Sequence, residues 1–358
     1  MNRPARARID LRALQHNFRR VQQAAPHSKI IAIVKAHAYG HGLVRVAQAL
    51  SDADAFGVAC LEEAITLREA GCDRRIVLLE GLFSPADITL INGYRLDVVI
   101  HSLHQVEMLE QGRLSGPLDI WLKIDTGMHR LGFRPADAAA VAGRLHSIPQ
   151  VATLRFMTHF ACAEDRSSDV TASQIRLFNA LPGTGAAERS LANSAGVLGW
   201  PDAHCEWVRP GIMLYGGSPL AGQSAAALDL QPVMTLGTEL IAVNARSKGD
   251  AVGYGGDWVC PRDMLVGVAA IGYGDGYPRH VASGTTVLVN GRPAAIAGRV
   301  SMDMICIDLG EQPDARIGDS VVLWGAGLPV DAVAMQAGTI SYELLCGVGS
   351  RVHFDYIS

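Results

Sequence analysis

Over the first two hundred residues, short apolar runs alternate with stretches of helical period. The runs fall at residues 29–35, 55–59, 75–80, 96–101, 118–123, 153–160, 189–193 and 205–208. Each is short, rich in branched residues and bounded by polar or glycine positions, the pattern of a strand buried on both faces. Between them lie amphipathic segments. Leu61, Ala64, Ile65 and Leu67 share one face, and Gly71 marks the stop. Residues 138–145 and 175–181 read the same way, and Asp10 is placed to cap a helix carrying Leu11, Leu14, Phe18 and Val21. This rhythm predicts a (β/α)8 barrel, in which function gathers where strands end. Lys35, Lys123, His159 and Arg209 all stand at or just past such ends.

After about residue 223 the texture changes, and period-2 runs take over at 238–243, 265–271, 286–289, 294–297, 304–309 and 320–324. Asn290-Gly291 between two of them predicts a type I′ hairpin. One helix is expected near 330–337, and the small, polar residues 218–227 read as a linker. The fold class is therefore α/β: an N-terminal barrel over 1–228 and a mostly-β C-terminal domain over 229–358.

Composition narrows the function classes. The chain is 49% hydrophobic, enough for a large core, and its net charge of −4 with no basic cluster argues against a nucleic-acid partner. No run reaches the roughly 18 apolar residues of a membrane span, and no apolar segment follows the basic start Met1–Arg8, so neither a membrane association nor a signal peptide is read. The seven cysteines are scattered with no CxxC pair, which gives no disulfide framework or zinc site and fits a reducing, cytoplasmic setting.

The chemistry-bearing residues start with Lys35, where the run Ile30–Val34 ends in an amine followed by Ala36-His37-Ala38-Tyr39-Gly40-His41-Gly42. Partial desolvation at a strand mouth makes an amine a nucleophile toward carbonyls, and the product is a Schiff base with a substrate or with pyridoxal phosphate (PLP). Read alone, it is equally a lysine that merely follows a core strand. Arg209-Pro210-Gly211-Ile212 follows the eighth run, where barrel loops bind phosphate through backbone N–H groups; Ser194 adds a hydroxyl. An ordinary loop closing the barrel has the same composition. The segment Lys123–Phe133 is a charged, glycine-broken loop whose Arg130 suits a carboxylate. His159 reads as a catalyst or as a hydrogen-bonded core histidine. No metal-ligand spacing is present. In the β region, Gly253-Tyr254-Gly255, Gly272–Tyr277 and Gly298–Met304 read as exposed, glycine-flanked loops; their G-x-G-x-x-G look lacks the strand–helix context of a dinucleotide site.

Taken together, these segments resemble the alanine racemase family over the whole chain. The motifs are Val34-Lys35-Ala36-x-Ala38-Tyr39-Gly40-His41-Gly42, Lys123-x-Asp125-x-Gly127-Met128-His129-Arg130-x-Gly132, Trp207–Ile212, Gly253-Tyr254-Gly255, Gly272-Tyr273-x-Asp275-Gly276 and Gly298-Arg299-Val300-x-Met302-Asp303. His37 stands where the family commonly shows aspartate or asparagine. The resemblance implies a PLP-dependent racemase interconverting L- and D-alanine in a homodimer with shared sites. Lys35 would carry PLP as a Schiff base and act as base on one substrate face. Tyr254 of a second subunit would be the base on the other. His159 would link that tyrosine to Arg209, which faces the pyridine nitrogen. Tyr39, Ser194, Gly211, Ile212 and Tyr342 would hold the phosphate. Arg130 and the Met302 backbone would hold the substrate carboxylate, Tyr273 would narrow the entrance, and Lys123 matches a position often carbamylated. A barrel-type PLP decarboxylase shares the plan but should lack Arg209 and the opposed tyrosine. A non-catalytic PLP-binding barrel would have no β domain, and broad-specificity racemases are typically exported.

Overall fold

Eight parallel strands close into a barrel in the computed structural model, which describes residues 3–183 and 186–358. A first strand, β1 (Arg6–Asp10), precedes them. The barrel runs β2 (Lys29–Ile33), β3 (Ala55–Val58), β4 (Arg75–Leu78), β5 (Asp97–Ile100), β6 (Leu118–Lys123), β7 (Val151–Met157), β8 (Arg189–Asn193) and β9 (Trp207–Arg209). Closure comes from β9 on β2, with Trp207 opposite Lys29 and Val208 opposite Ile30. The strands are the apolar runs of the sequence because both faces are covered; β3 and β5 are buried at every residue. The helix Leu11–Ala24 starts at Asp10 as expected, with Asp10 Oδ1 accepting the N–H groups of Arg12 and Ala13. Gly71 follows the helix Leu61–Glu69 at φ 85°, the left-handed stop that glycine permits.

The two mouths of the barrel differ in kind. At the strand beginnings, charges pair off: Arg75 bridges Asp97 and Asp119, and Glu188 accepts from Lys29 (2.7 Å) and Arg155 (2.5 Å). The Arg155 and Lys29 cations lie over the Trp121 and Trp207 rings at 5.5 and 5.1 Å. Charge here is neutralised locally, as befits a mouth that serves stability. The strand ends carry the candidate site.

The second compact unit is a β-rich body. Its strands are β10 (Met234–Arg246), β11 (Ala251–Val252), β12 (Trp258–Val259), β13 (Met264–Ala269), β14 (Thr286–Val289), β15 (Arg292–Ile296), β16 (Ile305–Asp308), β17 (Ser320–Trp324) and β18 (His353–Ile357). The main sheet has the order β13-β16-β15-β14-β17-β10-β1-β18, and β10 also pairs with β13. Asn290 and Gly291 both take positive φ between β14 and β15, the geometry of the expected hairpin turn. A helix at Val330–Gln336 matches the expected one, while Ser341–Cys346 adds a helix that was not foreseen.

The division of the chain differs from 1–228 and 229–358: the first strand, Tyr215–Gly217 and residues 225–228 go with the β-rich unit. β1 belongs with the β-rich unit, pairing antiparallel to β10 (Ala7 opposite Leu236) and parallel to β18 (Ala7 opposite Phe354). Its alternation is real, with Ala7 and Ile9 buried between exposed Arg6 and Arg8, but its partners lie at the far end of the chain. Tyr277 also departs from expectation. Read as exposed with its glycine-rich neighbours, it is fully buried and stacks on Trp324 at 5.9 Å. Among the described residues no helix is long and apolar enough to cross a membrane.

Candidate active site

The strand β2 stops at Ile33, and Lys35 opens a tight turn over Lys35–Tyr39. Ala36, His37, Ala38 and Tyr39 all adopt left-handed backbone, with φ between 51° and 56°. L-residues pay roughly 1–2 kcal/mol each for that region, so four in a row form a costly, purposeful turn. Histidine, like asparagine and aspartate, enters it more readily than most, which accounts physically for what stands at position 37. Internal bonds hold the turn: Ala38 N donates to Val34 O (2.7 Å), Gly40 N to Ala36 O (3.0 Å) and Gly42 N to His37 O (3.0 Å). His41 is fully buried, and its Nδ1 contacts Tyr39 O at 2.8 Å and Ala38 O at 3.1 Å.

The turn delivers the Tyr39 side chain to Gly211. A methyl group on Gly211 would sit 2.5 Å from the Tyr39 hydroxyl, so a larger residue there would push the tyrosine from its place. Gly211 N donates to Ser194 Oγ at 2.7 Å, which leaves the serine O–H to donate elsewhere. Ser194 opens the helix Ser194–Gly199 after β8, and Ile212 opens a 3-10 turn after β9. Ile212 is fully buried, so what it can offer an anion is its backbone. The expected anion grip of Tyr39, Ser194, Gly211 and Ile212 is thus gathered in the barrel unit.

Arg209 ends β9 and is buried. Among the described residues its guanidinium donates only to neutral acceptors: Ser190 O (2.8 Å), Ser190 Oγ (2.7 Å), Thr158 O (2.6 Å), Leu191 O (3.3 Å) and His159 Nδ1 (3.4 Å). Burial lowers its pKa to about 10, which still leaves a permanent cation at neutral pH. His159 lies two residues past β7. Burial, then the charges of Arg209, Lys123, Arg130 and Lys35, push its pKa well below the ordinary value, so the ring is neutral. Lys123 ends β6, and burial followed by Arg209, Arg130 and Lys35 lowers it to about 8. The loop beyond folds back, with Asp125 N donating to Phe133 O and Phe133 N to Lys123 O. Asp125 Oδ1 accepts from Gly127 N and His129 N, both at 3.0 Å, and Arg130 is exposed near the tip. Four basic side chains feel one another here, which makes the strand-end mouth electropositive.

Gln174 was not foreseen. It lies in the helix Asp169–Asn179, on the buried stripe with Thr171, Ile175 and Phe178. Its amide donates to Thr126 Oγ1 (3.1 Å) and His159 O (3.0 Å) and accepts from Ala161 N (2.9 Å). A polar residue within an apolar stripe was the available signal. It ties the Arg130 loop to the His159 loop.

In the β-rich unit, Tyr254 is 68% exposed on a turn with Gly253, Gly255 and Gly256 at positive φ. Tyr273 and Met302 are exposed and brought together: Tyr273 N donates to Ser301 O (3.0 Å) and Gly274 N to Met302 O (2.9 Å). The Met302 carbonyl is therefore occupied, and a carboxylate, which only accepts, would address its N–H. Buried Asp275 anchors this pair of loops by accepting from Gly272 N (3.0 Å) and Arg3 (2.9 Å). Tyr342 is the second residue of the helix Ser341–Cys346 and is exposed.

The family model described as "Alanine racemase, N-terminal domain" matches residues 9–219, and "Alanine racemase, C-terminal domain" matches residues 233–356. The chain belongs to the alanine racemase family. Alanine racemase of Thioalkalivibrio sulfidiphilus is 54% identical, covering 100% of both chains, and that of Photobacterium profundum is 52% identical, covering 99% of both. Among solved structures, the biosynthetic alanine racemase from Pseudomonas aeruginosa superposes with a TM-score of 0.97 at 49% identity, over 99% of this chain and 100% of that one. The alanine racemase from Acinetobacter baumannii gives 0.94 at 40% identity, again over 99% and 100%. The alanine racemase fold of parallel barrel plus antiparallel β body is thus the architecture of this chain.

Proposed function

We propose that the strand-end site binds PLP on Lys35 and interconverts L- and D-alanine with two opposed bases. The observation that carries this reading is Lys35 on a turn that sets Tyr39 against the Ser194–Gly211 grip, beside a buried Arg209 cation that has no carboxylate partner among the described residues. The donor set fits a phosphorylated aldehyde: an amine to bond the aldehyde, hydroxyl and backbone donors for the phosphate, and a cation for the ring. Tyr39, Ser194, Gly211, Ile212 and Tyr342 would hold the phosphate. When bound, PLP withdraws electrons from the substrate and acidifies the proton on its α-carbon.

The protein's own groups then divide the work. Lys35 Nζ takes or returns the α-proton on one face, and Tyr254 Oη, from a second subunit of a homodimer, does so on the other. Arg209 would supply a positive charge to the cofactor ring, which would disfavour protonation of its nitrogen and moderate electron withdrawal. Neutral His159 accepts from Arg209 at Nδ1 and so keeps its proton on Nε2, where it can donate toward the tyrosine base. Arg130 and the Met302 N–H hold the substrate carboxylate, and Tyr273 narrows the approach. Lys123 is a candidate for carbamylation: with a pKa of about 8 it is partly neutral at pH 7, and an anion in its place would relieve the repulsion of Arg209, Arg130 and Lys35. Seven scattered cysteines, with no disulfide among the described residues, suit a cytoplasmic location.

The test is the circular dichroism of L-alanine or D-alanine incubated with purified protein loaded with PLP. Decay of either signal to zero, with neither carbon dioxide nor a keto acid formed, is the expected result. Carbon dioxide release with a persistent signal would assign a decarboxylase instead.

A further inference from the structure

The turn that carries Lys35 and Tyr39 is of the unfavourable hand, and the structure shows what retains it. In an extended strand the two Cα atoms would lie about 13 Å apart; one helical turn brings four-residue neighbours to about 6 Å. A right-handed turn would do so more cheaply. The left-handed one winds successive side chains the opposite way, and it is this hand that accompanies the Tyr39 hydroxyl against Gly211. The four N–H and C=O groups inside the turn cannot select the hand alone, since a right-handed turn satisfies equivalent groups.

His41 adds an interaction specific to the observed hand. Its ring Nδ1 reaches both of the last two carbonyls of the turn, Ala38 O at 3.1 Å and Tyr39 O at 2.8 Å, while its backbone N–H also donates to Ala38 O at 3.0 Å. Carbonyls only accept, so the proton is on Nδ1. The ring has no accessible surface, and burial lowers its pKa to about 4, so it neither titrates near neutral pH nor exchanges these bonds for water. Directly after it, Gly42 accepts from Val46 N at the start of the helix Leu43–Ala49, so the turn is pinned to an element that packs in the barrel unit.

We infer that His41 is a positioning residue for the cofactor site: its Nδ1–H holds the left-handed turn Ala36–Tyr39 and thereby fixes the Lys35 amine and the Tyr39 hydroxyl relative to each other. The inference rests on the reading of Lys35 and Tyr39 as cofactor-binding groups. In this role His41 acts through the turn rather than on cofactor or substrate. Loss of its side chain should act on how well the phosphate and the aldehyde are engaged together.

Full-length protein is stripped of cofactor and titrated with PLP and with pyridoxal, which has the aldehyde and lacks the phosphate. His41→Ala should weaken PLP binding about 10-fold or more, the effect of losing one to two neutral hydrogen bonds. The preference for PLP over pyridoxal should shrink with it, while far-UV circular dichroism is unchanged. His41→Asn, which places an amide donor near the position of Nδ1, should recover most of the preference. A folded His41→Ala protein with wild-type PLP affinity and wild-type preference would overturn the inference. So would ¹⁵N NMR of histidine-labelled wild-type protein that found the His41 proton on Nε2, a measurement that needs no variant. Failure of the wild-type protein to bind PLP at Lys35 would instead overturn the functional reading.

Discussion

Arg209 Nη2 lies 3.4 Å from His159 Nδ1, and a guanidinium can only donate. The cation and the neutral ring are therefore a directional pair, with the imidazole proton sent to Nε2. Replacing Arg209 with glutamate reverses the sign of that end of the site. Arg209→Glu should slow racemisation by at least 100-fold, the scale of losing a charged group in a buried site. It should also raise the share of keto acid among the products, because a carboxylate favours a protonated ring nitrogen. A coupled keto-acid assay beside the dichroism assay checks both; an unchanged product ratio would remove Arg209 from the ring.

Lys123 should carry one equivalent of carbon dioxide, visible in intact-protein or peptide mass spectra recorded under mild conditions. Lys123→Ala removes the anion that would offset the charge of Arg130 and so orient it. The KM for alanine should then rise about 10-fold, the value of a charge-assisted hydrogen bond, with a smaller change in kcat. Partial rescue by added short carboxylates would support an anion at this position.

Gln174→Leu takes the amide away from Ala161 N–H and His159 O, whose bonds to it are partly buried, and from Thr126 Oγ1, which keeps Thr158 Oγ1 as a partner. Destabilisation of about 2 kcal/mol is expected, the loss of two partly buried hydrogen bonds at ~0.5–1.5 kcal/mol each. Urea unfolding read by tryptophan fluorescence measures it, and a midpoint equal to wild type would show that water replaces the side chain.

Glu188 governs part of the acid limb of stability. Partial burial raises its pKa, but the hydrogen bonds from Lys29 and Arg155 prevail and bring it down to about 2, against an ordinary 4.5. A depressed folded pKa stabilises the native state above 4.5 and loses that contribution as pH falls toward 2. Asp97, whose pKa is raised chiefly by burial, acts in the opposite sense. Glu188→Gln should therefore lower the urea midpoint at pH 7 and flatten its fall between pH 4.5 and 2. An acid limb as steep as wild type would show that other carboxylates control it.

The shared site is tested by complementation. Lys35→Ala and Tyr254→Phe homodimers should each be nearly inactive. Random reassembly makes about half the dimers mixed, each with one intact site, so roughly a quarter of wild-type activity should return. No recovery, with subunit exchange confirmed by mass spectrometry, would mean that each chain completes its own site.

Much of this protein is legible in one dimension. The barrel strands β2 to β9 follow from short apolar runs because each is buried on both faces, so the run itself is the signal. The placing of Lys35, Ser194 and Gly211 on one side was legible because all three stand at strand ends, and a barrel gathers strand ends on one side. What the tertiary structure alone decided depends on distance along the chain or on handedness. β1 joins β10 and β18, partners more than two hundred residues away, so its short alternation had no local neighbour to declare its purpose. Tyr277 turned inward because Trp324, far along the chain, offered a ring to stack on. Gln174 became a clamp only when β6 and β7 brought Thr126 and His159 to its helix. The left-handed turn from Ala36 to Tyr39 has little propensity signal, since of its four residues only His37 enters that region with some readiness; burial of His41 against the last carbonyls of the turn is a fact of three dimensions.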